Sequence, residues 1–153
     1  EYISVDIVNH IVDKKMDITK LTFPNNFFDY IICYHVLEHV QDDKKAIREM
    51  NRVLKNSGTC FITSPIDINR RASFRAEMSF ISERNMTLYG QGDHIRIYGL
   101  DFQHLLGSNG FEVNIIRYVN NFDRQERLRF GLKDSYKLLL YETNDDIYVC
   151  KKS

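Results

Sequence analysis

Between residues 29 and 66 the spacing of apolar residues changes twice, and that double change limits the folds open to this chain. DYIICY (29–34) is an apolar run of strand length, set off by the turn signal Phe23-Pro24-Asn25-Asn26. From about Asp42, apolar Ala46, Ile47, Met50, Val53 and Leu54 recur at three and four residues, which makes one helical stripe. Asp42 or Asp43 suits the cap of that helix, where an acid also meets the helix dipole favourably. Asn56-Ser57-Gly58 predicts its stop, with Gly58 in the left-handed position after the last turn. TCFITSPI (59–66) then returns to strand character, and Pro65 closes it. Strand, helix and strand in this order form the crossover unit of a parallel sheet.

The flanks extend the pattern. Residues 2–7 (YISVDI) read as a buried strand ending at Asp6, and 8–15 as a polar connector. A short extended piece follows at Met16–Ile18. A helix is expected over 101–108 with Phe102, Leu105 and Leu106 inward and a stop near Gly110. FEVNIIRYV (111–119) and DDIYVCK (145–151) read as strands. Segments of about 67–99 and 120–144 are longer than connectors need, so they are expected to cover a site. The second should hold a helix near Tyr136–Tyr141. The whole predicts a single domain over 1–153 of α/β class, a Rossmann-like three-layer sandwich with a mainly parallel sheet. Ligands of such sheets gather at the carboxyl ends of strands, which singles out Asp6, Asp17, Tyr34-His35 and Ser64-Pro65-Ile66.

Composition narrows the function classes. Lys+Arg and Asp+Glu both number 21, so no net field favours nucleic acid or an anionic membrane. No apolar run is long enough to span a bilayer as a helix. Cys33, Cys60 and Cys150 sit singly in apolar runs, which reads as reduced core thiols and a cytoplasmic location.

The stretch CYHVLEHVQDD (33–43) contains H-x-x-E-H, a spelling used by zinc peptidases. On a helix, His35 and His39 would share a face and ligate zinc with Glu38 as base, and Glu77 or Glu83 could complete the set. Strand 29–34 runs straight into His35, however, and leaves that helix no room to start. A peptidase chamber also needs more chain, so no metal is expected.

In order and spacing the segments resemble class I S-adenosylmethionine-dependent methyltransferases. The resemblance rests on YISVDI, then MDIT followed by LTFPNNFFDYII, then HVLEHVQDDKKAIREMNRVLKNSG. It implies S-adenosylmethionine as cofactor and methyl transfer to a small-molecule acceptor. It also implies that Asp6 holds the ribose hydroxyls, Asp17 the adenine amino group and the Ile18 amide a ring nitrogen. Ile7 would pack on adenine, and Tyr34, His35 and Val36 would border the methyl end. His35 or His94 could serve as general base, with Arg96 and Tyr98 on the substrate side and Arg70, Arg71 and Arg75 near an anionic group. Other readings stay open: Asp6 and Asp17 as turn formers, His35 as a packed histidine, Glu38 and His39 as braces of the next helix.

The family's first strand and glycine-rich loop have no counterpart here, since no glycine precedes Gly58. The expectation is therefore a domain truncated at its N-terminus, which alone binds the cofactor poorly. A non-catalytic binding or scaffolding protein of methyltransferase-like fold is the alternative.

Overall fold

The computed structural model describes residues 1–8, 11–75, 94–130, 136–138, 141–144 and 146–153. Along them come β1 (Val5–Asp6), β2 (Lys14–Lys15), β3 (Phe28–Tyr34), α1 (Asp43–Val53), β4 (Leu54–Thr63), β5 (Ile66–Asp67) and β6 (Phe74–Arg75). They continue with β7 (Arg96–Ile97), α2 (Phe102–Gly107), β8 (Phe111–Ile116), α3 (Arg124–Phe130), β9 (Tyr136–Leu138), β10 (Tyr141–Asn144) and β11 (Ile147–Lys152).

The central sheet has the order β3-β4-β11-β8. β3 and β4 are parallel, and β11 is antiparallel to both of its neighbours. Three strands therefore point one way, as a mainly parallel sheet requires. The last strand slots between β4 and β8 in the opposite sense, so only one adjacent pair in this sheet is a parallel ladder. The consequence for the site is that the carboxyl ends of β3 and β4 share a rim, with Tyr34 opposite Thr63.

α1 forms as its stripe predicts. Asp42 caps it by accepting from the Lys45 amide at 3.0 Å, and Ala46, Ile47, Met50 and Val53 are buried. Of these, Ala46, Ile47 and Met50 pack with Cys33, Cys60, Ile62, Phe102, Leu106, Tyr148 and Cys150 in one core. Each aliphatic side chain so buried contributes roughly 1.5–3 kcal/mol relative to exposure. The helix stop differs from the sequence expectation. Leu54 is already extended, β4 starts there, and Gly58 lies inside the strand. Gly58 serves close approach instead: a Cβ there would stand 2.8 Å from Leu54 Cδ1 and 3.0 Å from the Asp29 carbonyl oxygen. Gly110, by contrast, does take the left-handed conformation after α2, with φ +98°.

Two further expectations are corrected. The helix of the second insertion falls at Arg124–Phe130, whereas Tyr136–Leu138 and Tyr141–Asn144 are strands of a small antiparallel sheet with β5. The N-terminal run is not a buried strand: only Val5–Asp6 pairs, and Tyr2, Ile7 and Val8 are exposed. Among the described residues its one ladder partner is β2, through two residue pairs. No helix among the described residues is long and apolar enough to cross a membrane.

Candidate active site

β1 and β2 run parallel, with Asp6 opposite Lys15 and the Met16 amide donating to the Asp6 carbonyl at 2.9 Å. The residue after Met16 is Asp17, so both acids leave adjacent strand ends. Each also shapes its own turn. Asp6 Oδ1 accepts from the Val8 amide at 2.7 Å and Asp17 Oδ1 from the Thr19 amide at 2.8 Å. The Thr19 hydrogen bonds outweigh desolvation and hold the Asp17 carboxyl below its ordinary range. Ile7, beside Asp6, is 57% exposed, while Ile18 is half-buried against the core.

At the other rim, β3 ends at Tyr34, and His35 adopts the left-handed conformation with φ +50°. That is uncommon for a residue with a side chain, and such residues concentrate at functional sites. Its amide donates to the Thr63 carbonyl at 3.1 Å, which locks the turn to the end of β4. His35 Nδ1 lies 3.1 Å from Glu38 Oε1, and the Ser64 hydroxyl donates to Glu38 Oε2 at 2.7 Å. Glu38 is 1% exposed. Burial alone would raise its carboxyl, but hydrogen bonds from His35, its own backbone and Ser64 outweigh that and hold it below the usual glutamate value. The Thr63 hydroxyl is buried and has no hydrogen-bond partner among the described residues. Tyr34 is 64% exposed with its ring 4.4 Å from that of His35, and Val36 packs on the core.

The peptidase spelling is thereby dissolved. HVLEH spans a left-handed residue and a 3-10 turn over Leu37–His39, not the α-helix that aligns residues four apart. Glu77 and Glu83 lie outside the described residues.

The strap 94–98 also departs from expectation. Arg96 and Tyr98, read from sequence as substrate-facing, are 5% and 1% exposed. Arg96 forms an ion pair with Asp43 and donates to the Gln41 carbonyl at 2.9 Å; the Tyr98 hydroxyl donates to Asp43 Oδ2 at 2.9 Å. These side chains fasten the strap to the entrance of α1. Ile95 donates its amide to the Glu38 carbonyl at 3.1 Å, which brings His94 to the 3-10 turn. The rings of His94 and His39 are 4.8 Å apart. Arg70 pairs with Asp67, and Arg75 donates to Gln41. Thr63 escaped the sequence reading, and Asp43 entered it only as a helix-cap candidate, not as the partner of Arg96 and Tyr98; only their places, at a strand end and a helix start, could have flagged these roles.

The sheet order, the crossover helix and the shared rim define a Rossmann-like α/β domain. The methyltransferase domain family profile matches residues 4–62. Ajmaline N-methyltransferase of Rauvolfia serpentina is 38% identical over 125 residues, 79% of this chain and 42% of that protein. The YcgJ protein of Bacillus subtilis superposes with a TM-score of 0.53 at 20% identity, over 89% of this chain and 69% of that one. Haemonchus contortus phosphoethanolamine N-methyltransferase 2, in complex with phosphomonomethylethanolamine and S-adenosylhomocysteine, gives 0.56 at 17% identity, over 89% and 36%. The chain is thus similar to the methyltransferase domain family over its first part, and its fold is that of Rossmann-like methyltransferases. It spans less than half the length of ajmaline N-methyltransferase.

Proposed function

We propose that this chain forms the adenosine rim and part of the acceptor side of an enzyme that transfers a methyl group from S-adenosylmethionine to a small molecule. The observation that carries the reading is the in-register pairing of β1 with β2, which sets Asp6 and Asp17 at neighbouring strand ends. A carboxylate accepts hydrogen bonds only, so it suits ribose hydroxyls and an adenine amino group. Ile7, exposed beside Asp6, offers an apolar surface to the base. The orphaned Thr63 hydroxyl supports a polar ligand at the end of β4, because a buried hydroxyl without a partner is costly.

The bound sulfonium supplies the electrophilic methyl group; the residues here position, exclude water and move a proton. His35, steadied through Nδ1 by Glu38, is the group to take a proton from the acceptor. The small-molecule acceptor draws support from the names of two similar proteins, both N-methyltransferases of small compounds. The buried free cysteines suit the cytoplasm. Neither nucleic acid nor a membrane is proposed as partner.

Calorimetric titration with S-adenosylhomocysteine, on the polypeptide that contains this chain, tests the reading. Asp6→Ala should weaken binding about tenfold or more, since two charge-assisted hydrogen bonds are lost. Equal affinity in the variant and the parent would remove Asp6 from the site.

A further inference from the structure

We propose that Glu38, His39 and His94 bind one divalent first-row transition metal ion. A carboxylate oxygen and two imidazole nitrogens, one from each residue, all lie within 4.8 Å of one another. Two separate pieces of chain supply them. The 3-10 turn Leu37–His39 carries Glu38 and His39, and the strap carries His94. The hydrogen bond from the Ile95 amide to the Glu38 carbonyl holds those pieces together at the cluster itself. The Arg96 and Tyr98 bonds to Asp43, Leu37 and Gln41 brace the same junction.

Chemistry and burial select the ligand class. One carboxylate with two imidazoles suits zinc and its first-row neighbours, whereas calcium and magnesium prefer all-oxygen sites. Glu38 and His94 are 1% and 5% exposed, so an ion there would be largely withdrawn from solvent. Glu38 keeps its charge, and its carboxylate is already oriented by His35 and Ser64, as ligands are by their outer partners. Ligand atoms at about 2.1 Å from a tetrahedral zinc ion stand roughly 3.4 Å apart. The cluster therefore has to contract slightly on binding. Three protein ligands leave a coordination position for a water or an oxygen of a bound molecule. This set is not that of the peptidase spelling: His35 is excluded, and His94 comes from 55 residues beyond His39.

The inference does not depend on methyl transfer, and its test reads metal alone. The chelator-stripped protein is titrated with Zn²⁺ by calorimetry, and Co²⁺ absorption reports the ligand field. One equivalent should bind to the parent. His39→Ala and His94→Ala should each bind at least tenfold more weakly, while His104→Ala, on α2 and outside the cluster, should bind as the parent does. Co²⁺ should give ligand-field bands in the parent that fade in His39→Ala. If buried His94 cannot be replaced without unfolding, as circular dichroism would show, the half-buried His39→Ala variant and the Co²⁺ spectrum decide. No stoichiometric binding to the folded parent, or undiminished binding in His39→Ala, overturns the site.

Discussion

The Arg52 guanidinium donates to both Glu49 carboxylate oxygens, to the Leu21 and Phe23 carbonyls and to Asn25 Oδ1, at 2.8–2.9 Å. One side chain thus clamps the 21–25 loop, downstream of Asp17, to α1. Glu49 answers by accepting from the Leu21 amide at 3.0 Å. Replacing Arg52 by Ala leaves carbonyls and a carboxylate short of donors, at about 1–3 kcal/mol, read as a lower urea midpoint. The pair also has a pH signature. The hydrogen bond from Arg52 holds the Glu49 carboxyl below its ordinary 4.5 against desolvation. A depressed folded pKa stabilises above the unfolded value and loses that stabilisation as pH falls through the folded one. Stability should therefore fall below about pH 4.5 more steeply in the parent than in Arg52→Ala. Parallel slopes in urea titrations from pH 6 to 3 would contradict the clamp.

At the scale of elements, the strap 94–98 shows where sequence reading ends. In an extended piece His94, Arg96 and Tyr98 alternate onto one side, and an arginine with a tyrosine in a long polar segment looks like a substrate-facing pair. Periodicity reports which residues share a face, but not what covers that face. Here it is covered by the 3-10 turn and the start of α1, contacts made across 55 or more residues of sequence. α1 itself was legible because its stripe and cap are local; the point where it gives way to β4 was not, because tertiary pairing with β3 overrides the turn signal of Asn56-Ser57-Gly58. That β3 ends at Tyr34 was legible from the apolar run alone, whereas the Ser64–Glu38 bond needed coordinates. If the strap is an internal fastening, its two anchors should differ in cost. Tyr98→Phe loses one hydroxyl and should cost about 1–2 kcal/mol, whereas Arg96→Met breaks a buried ion pair and should cost about 3 kcal/mol or more. Equal, negligible effects on unfolding would mean that the strap is not fastened this way.

At the scale of the whole molecule, strength and exposure are unevenly shared. β11 lies in the middle of the central sheet, bonded to β4 through Tyr148–Lys151 and to β8 through Ile147–Lys152, so the last strand of the chain closes the core. These pairings join distant parts of the chain, and they open only when the domain unfolds. The β1–β2 ladder has two residue pairs and exposed apolar neighbours, so it opens locally at little cost. Hydrogen exchange should therefore be slowest at the amides of Phe61, Ile62, Val149 and Cys150. It should be much faster at Lys14 and Met16, whose amides bond to the Ser4 and Asp6 carbonyls. A ligand gripped by Asp6 and Asp17 binds only the closed ladder, and binding to one state stabilises it by mass action. With S-adenosylhomocysteine at a hundred times its dissociation constant, exchange at Lys14 and Met16 should slow about a hundredfold, while local openings remote from the ladder keep their rates. Slowing confined to other regions, with Lys14 and Met16 unaffected, would place the nucleoside elsewhere on the molecule.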